Sequence, residues 1–347
     1  MNTHELPMIL FTVLAQLCVG AFIVLGVMQL VASLRHDRQT VERLTEPVVY
    51  AIGPAMVLGL AASTLHMNDI TNTLNVFRNV DSSWLSREIV FGMAFAGLGF
   101  AFALMQWFSI ATIRLRQVVA GLTAVAGVAL IWSMSQIYYS LTAVPAWNTP
   151  VVPVHFFATT IMLGALAAGC ALMATAMVRH RRQPRAAKAV PPAGGTPGVG
   201  PVPTGDGGSR AAAVATAVRT RVSLINAPTT DTEWTLTTRT VQWLALTSAA
   251  VGVLVLVSYP LHVSALAAEG AAESAAVFSG AFFVTRLVLL GIAAVVLALF
   301  TYRTAGDTLK DRPHLLTGLM TAAFVLAFVA EIMGRSLHYD SMIRIGI

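Results

Sequence analysis

The chain has 347 residues, of which 56% are apolar and only 11% charged. A soluble domain carries about 25% charged residues, so this chain has too little polar surface to coat a water-facing globule. The formal charge of +6, from 22 Lys+Arg against 16 Asp+Glu, then reads as cationic loops that orient a membrane protein rather than as a nucleic-acid surface. The useful unit of length is the bilayer span of about 20 residues.

The opening MNTHELP carries no Lys or Arg, and the apolar run behind it extends to Ser33. That is longer than the 7–15 residues of a signal-peptide core, so it reads as a permanent helix. Apolar runs predict eight helices at about 6–33, 47–66, 87–110, 118–140, 152–178, 239–262, 279–301 and 314–338. The runs are long and unbroken, whereas a membrane strand would be about ten residues of alternating pattern. The fold class is therefore all-α integral membrane, an eight-helix transmembrane bundle. Cys18 and Cys170 lie inside apolar runs, too few for an iron–sulfur cluster or a disulfide framework, and read as small buried hydrophobes.

Residues 179–238 differ. They open with Arg179, His180, Arg181, Arg182 and Arg185 and continue through PPAGGTPGVGPVPTGDGG, a composition that cannot pack a core. The chain is thus expected to divide into helices one to five (1–178), a disordered basic loop (179–238) and helices six to eight (239–347). Loops on one side of the bundle carry sixteen Lys+Arg and those on the other carry three; without the long loop the balance is still eight to three. Positive loops stay in the cytoplasm, so both termini are expected outside, on the periplasmic face of a bacterial inner membrane.

With that orientation, polar residues gather at the outer ends of helices. His66 closes the second helix, Glu88 opens the third, Tyr139 ends the fourth, Arg286 lies in the first turns of the seventh, and Glu331 and Arg335 near the end of the eighth. Ionisable groups within spans cost about 2.5–3.5 kcal/mol at the centre and less near the interface, so their grouping is informative. Glu331 and Arg335, four apart with the acid first, fit an ion pair on one helix face; the pair reads equally as a pocket wall or a staple. His66 and Glu88 bracket one loop at one depth and form the better candidate, because His titrates near neutrality and a partly buried Glu can be raised toward it. Such a pair suits a small lipid-soluble molecule that gives up protons.

Several chemistries lack support. No GxxxxGK[ST] phosphate loop, HExxH or Cys-x-x-Cys occurs, so neither nucleotide nor metal is expected. His66, His155, His262 and His338 all lie near outer helix ends, and none is mid-membrane, so haem stays a minority option. Any redox role needs a partner that carries electrons.

The residues also resemble a known family. ELPMILFTVLAQLCVGAFIVLG (5–26), LHMND (65–69), LSREIVFG (85–92), VPAWNTP (144–150), TRLVLLG (285–291) and AEIMGR (330–335) are similar, in the same order, to the membrane-anchor subunit of dimethyl-sulfoxide reductase, the DmsC family. The resemblance implies an anchor that oxidises menaquinol near the outer face. Electrons would pass to an iron–sulfur subunit and on to a molybdopterin catalytic subunit on that face, while this chain would hold no haem, cluster or molybdenum. In the family the quinol site is assigned to a histidine ending the second helix and a glutamate opening the third, here His66 and Glu88. The 179–238 segment is much longer than the family's connection between helices five and six. The expected function is a quinol-oxidising anchor outside the catalytic core of an anaerobic respiratory complex, with Arg286, Tyr139 and the Glu331–Arg335 pair as further pocket candidates. The rivals are a small-solute transporter, which would show repeats and broken midplane helices, and a purely structural anchor.

Overall fold

The computed structural model describes residues 5–64, 77–108, 110–188, 216, 218–219, 222–223, 227, 229–308 and 313–344. Every regular element among them is helical: α1 (Leu6–Ser33), α2 (Arg38–Thr64), α3 (Trp84–Trp107), α4 (Ile113–Tyr139), α5 (Val151–Lys188), α6 (Asp231–Ala268), a short α7 (Ala272–Ala276), α8 (Ala281–Leu290), a π-helical stretch (Gly291–Leu297), α9 (Ala298–Thr308) and α10 (Pro313–Asp340). With α8, the π stretch and α9 forming one span, eight helical segments among the described residues are long and apolar enough to cross a membrane.

The core is built on α1 and α5. α1 packs against α2 and α5; α5 also meets α6 and α10, and α3 pairs with α4. The α1–α5 crossing is a backbone contact. A Cβ on Gly20 would strike the Thr160 carbonyl oxygen, and one on Gly164 would strike the Gly20 backbone. Lipid tails are as apolar as leucine, so helices in a membrane gain by close van der Waals fit. Two facing glycines bring that fit down to the main chain.

α2 and α6 begin furthest ahead of the apolar pattern. α2 starts at Arg38, not near 47, because Asp37 accepts the Thr40 N–H at 3.0 Å and caps the first turn. α6 starts at Asp231, not near 239, behind a capping box: Thr230 Oγ1 accepts the Glu233 N–H, and Glu233 Oε2 accepts the Thr230 N–H. α5 likewise runs past 178 to Lys188. Both ends of the polar segment 179–238 are therefore helical and stitched to α2. Arg43 Nε pairs with Glu233 Oε1 at 2.9 Å, Arg43 Nη2 donates to the Ala227 carbonyl, and Arg179 Nη2 donates to the Arg43 carbonyl. Residues 189–215 lie outside the described residues.

Candidate functional site

One end of the bundle gathers the start of α3, the end of α4, the starts of α5 and α8, and the ends of α6 and α10. Helical spacing aims the side chains. On α10, Glu331, Arg335 and His338 stand at i, i+4 and i+7, one face of the helix. On α5, His155 and Thr159 repeat at i and i+4, and on α6 Tyr259 and His262 at i and i+3. Together with Arg286 of α8 they enclose a cavity of about 40 Å³, room for a few waters.

The charges inside are held by partners from other helices. Arg286, 3% exposed, reaches Glu331 at 3.6 Å from Nη2 to Oε1 and donates from Nε to the Ala330 carbonyl at 3.2 Å. Glu331 Oε2 also accepts from Thr159 Oγ1 at 2.7 Å. The Arg286 guanidinium lies 4.5 Å above the Tyr259 ring and presses on Gly334, where a Cβ would come within 2.6 Å of its Cζ. Any larger residue at 334 would displace the arginine. Burying an ion pair in a medium of low dielectric is favourable only when the remaining hydrogen-bonding positions are also filled; Thr159 and the Ala330 carbonyl fill two of them, while Arg286 Nη1 and Glu331 Oε1 meet no hydrogen-bond partner among the described residues.

The sequence pairing of Glu331 with Arg335 is corrected by this geometry. Glu331 pairs across to Arg286. Arg335 turns away, donating from Nη2 to Gln16 Oε1 at 3.1 Å and stacking 3.8 Å over Phe156. Tertiary packing offered each side chain a better-enclosed partner than its helix neighbour. Gln16, fully buried in α1, also donates to the Phe156 carbonyl at 3.0 Å. Sequence reading passed over Gln16, although a glutamine eleven residues into a 28-residue apolar helix is itself a signal that something polar waits opposite.

Aromatic rings close the cluster. His338 stacks on Trp147 with centroids 5.1 Å apart and interplanar angle 17°, and Trp147 Nε1 donates to the His338 carbonyl. His338 Nε2 meets no hydrogen-bond partner among the described residues. His155 shares a 2.6 Å hydrogen bond with Ser258 Oγ, and its ring lies 4.7 Å from that of Tyr259. The hydroxyls of Tyr138 and Tyr339 meet at 2.7 Å. Of the two adjacent tyrosines, Tyr138 is the buried, hydrogen-bonded one. Tyr139 is half-buried, with its carbonyl accepting from Asn148 Nδ2.

Glu88 is buried at the start of α3, within electrostatic reach of both Tyr138 and Tyr339. α3 is launched there by Ser83, whose side chain accepts the Ser86 N–H, while Arg87 folds back onto the carbonyls of Val80 and Asp81. The structure thus brings Arg286, Glu331 and Arg335 to one cluster, with Glu88 beside its tyrosine edge. His66 lies outside the described residues. No set of three or more His, Cys, Asp or Glu side chains is placed to hold a metal ion among the described residues.

The family model of the DMSO reductase anchor subunit (DmsC) matches residues 1–187. The C subunit of the anaerobic dimethyl sulfoxide reductase of Escherichia coli (strain K12) is 34% identical over 166 residues, covering 47% of this protein and 56% of that subunit. Its Haemophilus influenzae counterpart is 31% identical over 176 residues, covering 50% and 61%. The YnfH subunit of an E. coli anaerobic dimethyl sulfoxide reductase is 30% identical over 176 residues, covering 49% and 58%. The matches thus span less than two thirds of these relatives. The matched half contains Glu88 and Tyr139 as well as position 66, whereas Arg286, Glu331 and Arg335 lie beyond it. A family model that covers more than half of a chain with eight membrane-length helical segments settles the matter: this protein belongs to the family of DMSO reductase anchor subunits.

Proposed function

We propose that the chain anchors a molybdopterin oxidoreductase in the bacterial inner membrane and oxidises menaquinol near its outer face. Two electrons would leave to an iron–sulfur subunit and two protons to the outer side. The reading is supported above all by one observation: buried Glu88 lies within electrostatic reach of a hydrogen-bonded tyrosine pair, at the end of the bundle that the loop charges assign to the outside. His66 is the proposed acceptor of the first hydroxyl proton, and Glu88 takes or relays the second. The cavity of about 40 Å³ among Arg286, Glu331 and Arg335 suits waters and not a ring. The quinol ring would then lie on the Glu88 side of the cluster. Arg286, Glu331 and Arg335 stand behind it as a fixed polar wall, and Tyr139 at its rim.

The complex carrying His66→Leu is expected to assemble but to lose quinol-dependent reduction of its partner. Glu88→Gln should slow turnover while keeping binding, since the amide retains hydrogen bonding and loses only titration. In sealed vesicles both protons should appear outside. Full activity in His66→Leu, or proton release on the other side, overturns the site. Gly205→Cys and Glu269→Cys should label from opposite faces; labelling of both from outside overturns the orientation.

A further inference from the structure

The opposite end of the bundle holds the larger opening, a groove of about 780 Å³ between the end of α1, the start of α2, the end of α3 and the start of α4. Its walls run from Phe22 to Ser33 on α1 and from Ile113 to Ala124 on α4. At 1.5 Å per residue each wall is about 16 Å long, which is one leaflet of a hydrocarbon core about 30 Å thick. The deep part is apolar, with Phe22, Ile23, Phe102 and Ala124. The polar lining residues Gln29, Ser33, His36, Glu42, Gln106, Arg116 and Gln117 all sit within about one turn of a helix end or start, at the level of the interface. An apolar slot one leaflet long with a polar mouth matches an amphiphile standing upright.

Charge selects which amphiphile. Arg116, 9% exposed and donating to Gln106 Oε1 at 3.0 Å, lines the mouth; Arg35 and Arg114 stand exposed on the adjoining turns. Glu42 is the carboxylate among the lining side chains, and nearby Asp37 is engaged in capping α2. α4 also begins at this mouth, and its first N–H groups present the positive end of the helix dipole. A neutral quinone head needs no such cationic rim, whereas a phosphodiester does.

We propose that this groove is a binding site for an anionic phospholipid, one acyl chain along α1 and α4 and the phosphate at Arg116. The site is separate from the quinol site and independent of it. The test uses the full complex, purified in detergent, stripped of lipid and titrated with phosphatidylglycerol or phosphatidylcholine of identical chains, with retained lipid read by native mass spectrometry and stability by thermal midpoint. Phosphatidylglycerol should be retained and raise the midpoint, and phosphatidylcholine should not. Arg116→Gln should weaken phosphatidylglycerol about fivefold, the worth of one basic residue at an anionic surface. Gly121 lines the groove, and a Cβ there meets nothing within 4 Å, so Gly121→Leu should fill the slot, expel the lipid and leave quinol turnover unchanged. Equal retention of both lipids, retention of neither, undiminished binding in Gly121→Leu, or displacement of the lipid by a menaquinone analogue would each overturn the proposal.

Discussion

The two ends of the bundle solve opposite problems. At one end Arg286, Glu331, Arg335 and three histidines crowd around about 40 Å³ of space; at the other, apolar walls leave about 780 Å³ open. Charges in a low-dielectric interior are costly unless partners enclose them, so the polar end is drawn in around its ion pair and interhelical hydrogen bonds. Apolar walls make no such demand, and lipid can fill what the protein leaves. Tightness here tracks polarity, and the two ends should respond differently to substitution.

The sharpest contrast should come from Arg286→Leu, which leaves Glu331 buried without its cation. Removing one partner of a buried pair costs about 3–5 kcal/mol, read as a fall in thermal midpoint and in membrane accumulation. The double variant Arg286→Leu, Glu331→Leu should recover much of that loss; a double variant as unstable as the single would break the electrostatic account. Gly334→Ala comes next, at about 1–3 kcal/mol, the usual range for overpacking, because its Cβ would displace the Arg286 guanidinium. Thr159→Val removes a single interhelical hydrogen bond to Glu331 and should cost about 0.6–1.7 kcal/mol in the same measurement. On the groove side, Gly26→Ala meets nothing within 4 Å and should stay within about 0.5 kcal/mol of the parent. A loss there as large as at Gly334 would show the groove to be as tightly packed as the cluster.

Most of the architecture was legible because a span declares itself by its apolar length. α1 is an unbroken run from Leu6 to Ser33, and its predicted and observed bounds coincide. The starts of α2 and α6 were not legible by hydropathy, because polar caps at Asp37 and Thr230 begin those helices well before the apolar residues do. Within the site, sequence order brought Glu331, Arg335 and Arg286 to one end but paired the first two along the helix. The partner actually used is 45 residues away, and only the packing of α8 on α10 decides it. Tyr138 against Tyr139 is a matter of azimuth, since neighbouring residues point about 100° apart on a helix.

The π-helical stretch between α8 and α9 gives the seventh span a phase as well as a length. Its wider turns shift the rotational setting of α8 against that of α9. On one side of it, α8 turns Arg286 toward α10; on the other, α9 buries Ala298 and Ala305, packing on α6. Wound as uniform α-helix with no residue removed, 291–297 would turn the two halves by roughly 100° relative to each other. Arg286 and Ala298 could then no longer both face their partners. A span that any apolar sequence of sufficient length could provide thereby carries a specific rotational setting, and the aim of the arginine at its head depends on it.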